Sequence, residues 1–313
     1  AQHIDSCLSC YGCMTTCPSG VNYMHLIDHG RNYVEETYKR PLIDRLFRNI
    51  LSYTLPKPNV FLALVLFSKI IKPFSFILPQ FLRNSLNLMP DKIPSKKIRT
   101  RKIYPSESKK TVARVALLIG CVQRVISPEI NESTIRLLNR HDVEVVVLPK
   151  IDCCGSLNHH LGKKKLAHSS FVKNIKLWHE EYLKNGLDAI ISNTSGCGTT
   201  LKDYGFIFRN DKELKKKAKK ISELTKDITE YLDENLKLKI KPSNQKKYKI
   251  AYHSACSMQH GQKVHEQPKN LIEQTGNTVL DIPEGHMCCG SAGTYNILHQ
   301  KMAKSLLKNK VEN

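Results

Sequence analysis

The chain has 313 residues, 41% of them hydrophobic, and carries 49 Lys and Arg against 28 Asp and Glu, a formal charge of +21. That length suffices for two or three domains with a buried core, and the composition excludes an intrinsically disordered chain. The basic clusters at Lys96-Lys97, Lys163 to Lys165 and Lys215 to Lys220 are small. They read as a Lys-rich background that keeps helix faces solvated, with an anionic membrane surface or nucleic acid as the alternative partner.

The chain opens at Ala1 with no signal-peptide pattern and ends in a helical stretch, so both ends read as cuts through a longer protein. The first motif is Cys7-Leu8-Ser9-Cys10-Tyr11-Gly12-Cys13-Met14-Thr15-Thr16-Cys17-Pro18. This C-x2-C-x2-C-x3-C-P run is the bacterial ferredoxin pattern and points to a 4Fe-4S cluster. Two-residue gaps wrap a short loop around one face of a cubane, Gly12 permits the tight turn, and Pro18 redirects the chain. A zinc site would favour paired C-x2-C units far apart. In two-cluster ferredoxins the fourth Cys of such a run ligates the other cluster. Cys7, Cys10 and Cys13 therefore want a fourth thiolate and Cys17 a second cluster, so residues 1–40 read as the second half of a two-cluster domain.

Residues 41–110 read as a helical, Pro-rich connector. Its most apolar stretch, Val60 to Leu82, is interrupted by Ser68, Lys69, Lys72 and Pro73. That falls short of the ~18 uninterrupted apolar residues of a membrane span. A packed connector is the first reading and interfacial membrane docking the second.

From Thr111 strand and helix patterns alternate. Arg114 to Gly120 is an apolar run ending at Cys121, Ser127-Pro128-Glu129 opens a helix, and Val143 to Leu148 is a β-branched strand followed by Cys153-Cys154-Gly155. A helix is predicted from about Gly155 to Leu183, a strand over Asp188 to Asn193, then a loop Thr194-Ser195-Gly196-Cys197-Gly198. This is an α/β unit with a mainly parallel sheet, residues 111–245. The pattern recurs over residues 246–313, where a strand from Tyr248 to Ala255 ends at Cys256 and Cys288-Cys289-Gly290 follows. Cys121 to Cys153 and Cys256 to Cys288 have the same spacing, so two homologous units each carry a site. A helix N-terminus after each Cys-Cys-Gly is expected to favour thiolates. The odd count of 11 cysteines, tightly clustered, argues against a disulfide framework and for a reducing cytoplasm. For Cys121, Cys153, Cys154, Cys197, Cys256, Cys288 and Cys289, an iron–sulfur cluster, zinc and a purely structural thiol set all stay open.

His253, His260 and His286 lie near the second-unit cysteines and are candidates to orient a site, against the plainer reading of hydrogen-bonded loop histidines. Asp152 and Glu284 flank the Cys-Cys-Gly motifs. No G-x-G-x-x-G or P-loop run appears, so the sequence gives no support to flavin, nicotinamide or nucleotide binding.

The paired C-x31-CCG units resemble the cysteine-rich domain of heterodisulfide reductase-like proteins. The whole order looks like the iron–sulfur subunits of glycolate oxidase (glycolate dehydrogenase). The closest segments are Cys17-Pro18-Ser19-Gly20-Val21, Asp28-His29-Gly30-Arg31 and Glu284 to Asn296. The chain departs from the family in lacking a ferredoxin run ahead of Cys7. A third Cys element after Cys288-Cys289 would fall beyond Asn313, and Thr194 stands where the family's C-x2-C has its first Cys. The resemblance implies an α+β architecture with a ferredoxin-like segment, a helical connector and two repeated α/β cysteine-rich (CCG) domains. It implies two 4Fe-4S clusters in the full-length ferredoxin-type domain and a separate FAD-bearing subunit that oxidises glycolate to glyoxylate. This chain would pass electrons to a quinone-level acceptor, in the cytoplasm or at the inner face of the cytoplasmic membrane, with no catalytic acid–base residues of its own. Iron–sulfur subunits of lactate or anaerobic glycerol-3-phosphate dehydrogenases share these domains and form the first alternative. A zinc-binding nucleic-acid module is the alternative of a different class.

Overall fold

The computed structural model describes residues 1–90, 103–108, 110–151, 153–240, 242 and 246–313. Lys96-Lys97 and Asp152 fall outside them. The centre of the molecule is a five-stranded sheet in the order β1 (Ile103–Tyr104), β3 (Val143–Val146), β2 (Ala113–Leu118), β4 (Ala189–Ser192), β5 (Thr225–Asp227). β2, β3, β4 and β5 pair in parallel, with Val115 opposite Val145 on one side and Ala189 on the other, while β1 is an antiparallel edge. Parallel neighbours need crossover helices. Pro128–Arg140 connects β2 to β3 and Lys164–Asn185 connects β3 to β4.

Alternation along the strands splits the core into two layers, because successive side chains face opposite sides of a sheet. Ala116, Leu118, Val146 and Ile190 pack with Phe171, Ile175, Trp178, Leu201 and Tyr204. Val115, Leu117, Val143, Val145 and Ile191 pack with Ile135, Leu138, Tyr231 and Leu232 on the other face. Leu271 joins this second layer from the Glu266–Gln274 helix, so the second repeat buries part of itself on the first. The second repeat's own sheet is small, β6 (Lys249–Ala251) parallel to β7 (Thr278–Leu280).

Several expectations change. The helix predicted from Gly155 to Leu183 is two helices, Ser156–His160 and Lys164–Asn185. The break falls at Gly162 (φ +76°), where a Cβ would lie 2.6 Å from the Arg31 carbonyl of the crossing Tyr23–Thr37 helix. The strand expected over Tyr248 to Ala255 ends at Ala251. The predicted Cys197 loop is the first turn of a helix, Ser195–Lys202. β1 lies in the segment read as connector, so the central sheet begins before residue 111.

Residues 1–40 hold three helices, Gln2–Asp5, Gly12–Thr16 and Tyr23–Thr37. In the connector, Pro58–Ile71 continues as a 3-10 helix over Lys72–Ile77, running through the Lys69, Lys72 and Pro73 that were read as breaks. By length and composition this Pro58–Ile77 span could cross a membrane, with mean hydropathy 2.0 and only 17% of it buried. Its inner face, Phe61 and Val65, packs on Val125 just after Cys121.

Trp178, 1% exposed, is among the largest fully buried side chains. Trp178→Ala is expected to lower unfolding free energy by about 3–5 kcal/mol through lost burial and a residual cavity. A urea titration followed by circular dichroism checks this.

Candidate cysteine-lined centre

All eleven thiols are free. Nine of them, every cysteine except Cys13 and Cys17, line one cavity of about 570 Å³. Both repeats open on this space, and the N-terminal run closes it with Cys7 and Cys10.

The Cys-Cys-Gly motif has the same local geometry in both repeats. Gly155 and Gly290 adopt left-handed backbone, φ +85° and +81°. Each amide donates to the sulfur two residues earlier, Gly155 N–H to Cys153 Sγ and Gly290 N–H to Cys288 Sγ, both at 3.4 Å. A later helix presses on each glycine. A Cβ at Gly155 would lie 2.4 Å from Phe171 Cε1, and one at Gly290 would lie 2.5 Å from the Ala303 carbonyl oxygen. Only glycine meets both demands, left-handed φ and no side chain. In the first repeat the Cys153 and Cys154 carbonyls are held by Asn174 Nδ2 (2.8 Å) and the Tyr204 hydroxyl (2.6 Å). Neither residue stands out in the sequence.

The thiols bond to one another. Cys154 donates to Cys197 at 3.1 Å. The Cys121 thiol is pushed up by its bond to Cys153 and by burial. Cys153 gains from that bond, but its own bond to Cys154 and its burial push it up to about 12. Cys154 gains likewise from Cys153, yet its bond to Cys197 and its burial hold it well above the ordinary thiol value. The expected thiolate character of the Cys153-Cys154 pair is therefore reversed, because burial and thiol–thiol bonding outweigh a helix of one short turn. In the second repeat Cys256 donates to Cys288, which lowers Cys288 and raises Cys256; the Gly290 amide and Lys310 favour the Cys288 thiolate further.

The N-terminal run is strained and clamped. Ser9 and Tyr11 have φ +53° and +61°, a conformation that side chains other than glycine rarely adopt. Arg31 Nη2 donates to the Cys7 carbonyl at 2.7 Å, and Arg31 lies 3.8 Å from the buried Asp28 carboxylate. Asp28 in turn meets His159 Nε2 and His160 Nδ1, both at 3.1 Å, on the helix that follows Gly155. Burial raises the Asp28 pKa, but His160 and His159 more than offset it and hold the carboxyl far below its usual range. The Asp28-His29-Gly30-Arg31 segment thus ties the run to the first repeat. Cys17 does not line the cavity, and its thiol is lowered by backbone amides, Val21 first.

His253 lines the cavity, while His286 is exposed. Glu284 is also exposed, with its carboxylate near Asn313, so it takes no part in the cavity. Among the described residues no three His, Cys, Asp or Glu side chains converge on one ion-sized point. A mononuclear zinc site needs four donors at about 2.0–2.3 Å from one centre. Thiols spread around a wider space suit a polynuclear cluster better.

The CCG cysteine-rich domain model matches residues 115–202 and 250–313. A glycolate oxidase iron–sulfur subunit of Escherichia coli (strain K12) is 36% identical over 310 residues, covering 99% of this chain and 72% of that protein. A probable glycolate oxidase iron–sulfur subunit of Bacillus subtilis (strain 168) is 26% identical over 323 residues, with the same coverage. A lactate utilization protein A of Anoxybacillus flavithermus is 24% identical over 200 residues, covering 63% of this chain and 81% of its own.

Two outcomes follow from the site. Gly155→Ala is expected to destabilise by at least about 1–2 kcal/mol from backbone strain alone, and to lower iron content after anaerobic reconstitution. Asp28→Asn, which leaves His159 and His160 without their buried carboxylate, is expected to cost about 3 kcal/mol at pH 7. The depressed Asp28 pKa stabilises the fold above the ordinary carboxylate pKa of about 3.9. That contribution is lost as pH falls, so the gap between wild type and variant should narrow from pH 5 toward pH 2 in thermal melts.

Proposed function

Because the chain belongs to the family of glycolate oxidase iron–sulfur subunits, we propose that it carries electrons from a glycolate-oxidising FAD subunit through iron–sulfur clusters to a quinone-level acceptor. The observation that supports this most is the single cavity walled by nine thiols from three separate stretches of chain. Cys7, Cys10, Cys13 and Cys17 form the ferredoxin-type ligand set for 4Fe-4S chemistry. Cys121, Cys153, Cys154 and Cys197 form a second set, and Cys256, Cys288 and Cys289 a third.

Bound clusters supply one-electron acceptance and release, at potentials spanning roughly −700 to +450 mV according to charge, burial and hydrogen bonding to sulfur. The chain's own share is to hold and tune. Amides of Ser9, Gly155, Ser156 and Gly290 point at Cys7, Cys153, Cys154 and Cys288 sulfurs. Such donors stabilise added negative charge and so favour the reduced state. Arg31, Arg40 and Arg48 line the same cavity, each paired with a carboxylate, Asp28, Asp5 and Asp44 among them. Hydride removal from a 2-hydroxy acid needs an acceptor such as a flavin, which this sequence has no motif to bind. The lactate reading is weaker, since that relative matches 63% of the chain whereas the glycolate oxidase subunits match 99%.

Membrane association at the inner face of the cytoplasmic membrane belongs to the same proposal. The Leu42–Thr54 helix exposes Leu42, Ile43, Leu46, Ile50 and Tyr53, and the Pro58–Ile77 span exposes Leu66, Phe67, Ile70, Phe74, Phe76 and Ile77. Lys57 and Lys69 border these side chains, an arrangement suited to an anionic bilayer surface. Phe67→Glu with Phe76→Glu should abolish flotation with phosphatidylglycerol vesicles while leaving iron content unchanged.

The anaerobically purified, iron-loaded chain should show iron, acid-labile sulfide and a reduced-state EPR signal. Cys10→Ser should remove the ferredoxin-type component of that signal. With glycolate and dichlorophenolindophenol the chain alone should give no turnover. Unchanged signals in Cys10→Ser, or flavin-free turnover, would overturn the proposal.

A further inference from the structure

The turn that follows Cys256 is the meeting point of all three cysteine-bearing segments. Ser257–Gln262 is a π-helical turn, a rare form of helix that recurs at functional sites. Toward the first repeat, the Thr199 hydroxyl donates to the Ser257 carbonyl and Gln262 Nε2 to the Ser195 carbonyl, both at 2.9 Å. These contacts grip the helix that carries Cys197. Toward the N-terminal run, a Cβ at Gly261 would lie 3.2 Å from the Tyr11 ring and 2.9 Å from Thr199, so no larger residue fits the crossing.

His260 sits inside this junction, 7% exposed. Its Nδ1 is 2.8 Å from Thr15 Oγ1, between Cys13 and Cys17, and its Nε2 is 3.1 Å from the carbonyl of His286, two residues before Cys288. A carbonyl only accepts, so Nε2 donates to it, while Nδ1 pairs with the Thr15 hydroxyl, which also reaches the Gly12 carbonyl at 3.1 Å. One buried imidazole therefore spans two ligand-bearing backbones with both nitrogens engaged. The equivalent position in the first repeat, four residues after Cys121, is Val125, which packs on Phe61 and Val65 of the connector helix. The repeats thus share a fold, but this site carries an apolar residue where its neighbour is a helix and an imidazole where its neighbour is the cysteine run.

We propose that His260 is a positioning residue that fixes the distance and orientation between the N-terminal cluster and the cluster of the second repeat. This rests on the reading that both cysteine sets hold iron–sulfur clusters. A hydrogen bond on each side of this buried ring leaves the Gly12–Thr16 helix and the Cys288 loop one relative arrangement. Magnetic coupling between two reduced clusters depends steeply on that arrangement and so reports it.

EPR of the fully reduced, iron-loaded chain tests the idea, beside iron and sulfide content and redox titration. Wild type is expected to show two interacting paramagnets. His260→Leu should keep both signals and the iron but lose or alter the interaction splitting and shift a midpoint potential. His260→Gln, which can still donate to the His286 carbonyl, should recover part of the wild-type splitting. Thr15→Val removes the run-side bond without touching the buried ring and should also alter the splitting, which covers the case in which His260→Leu fails to load iron. Splitting and potentials unchanged in both His260→Leu and Thr15→Val would overturn the proposal. A wild type with iron at only one of the two cysteine sets would instead overturn the reading of two clusters on which it stands.

Discussion

The N-terminal cysteine run has almost no core of its own, so its place is set by polar contacts with the two repeats. Neither the Gln2–Asp5 nor the Gly12–Thr16 helix buries a residue, and Tyr11 is the one buried apolar side chain among the first twenty. What holds this segment is a buried carboxylate on one side and a buried imidazole on the other. Asp28 takes both oxygens into contact with the first repeat, and His260 reaches out from the second. A buried ion is tolerated only with its partners in place, so this clamp is specific where an apolar contact would slide. The positive φ at Ser9 and Tyr11 is sustained by the same contacts, with Arg31 holding the Cys7 carbonyl and the Ser9 hydroxyl.

The two repeats keep what the thiols need and differ where their surroundings differ. Gly155 and Gly290 have matching conformations, matching N–H···S bonds and a helix pressed on the same face. The sheets are unequal: the first repeat has five strands and two filled core layers, the second two short strands. The second repeat compensates by leaning on the first, through Leu271 in the core and through Thr199 and Gln262 at the junction. That leaning is also what brings the two Cys-Cys-Gly loops to one cavity.

Much of this was legible in the sequence because it is local. The ferredoxin spacing, the equal Cys121–Cys153 and Cys256–Cys288 intervals, and the strands around Leu117, Val145 and Ile190 each need only a few neighbouring residues. The break at Gly162 was not legible, since it exists to let the Tyr23–Thr37 backbone pass at 2.6 Å from where a Cβ would be. Asn174 and Tyr204 were missed for the same reason: each serves the Cys153-Cys154 carbonyls from a distant helix. His260 was one of three histidines near the second-repeat cysteines. Only the contact with Thr15, 245 residues away in sequence, separates it from His253 and His286. The opening of the three cysteine sets on one cavity is a tertiary fact that spacing within a repeat cannot carry.

The protonation of the thiols follows from the same enclosure. Nine thiolates around about 570 Å³ would repel one another strongly. The chain avoids that by keeping protons on Cys121, Cys153 and Cys154 and by letting neighbours share them as hydrogen bonds. Iron binds thiolate, so filling the centre must expel these protons, and the metal's charge replaces theirs as the balance against sulfur. In the second repeat the same sharing lowers Cys288 and raises Cys256, with the Gly290 amide and Lys310 favouring the Cys288 thiolate.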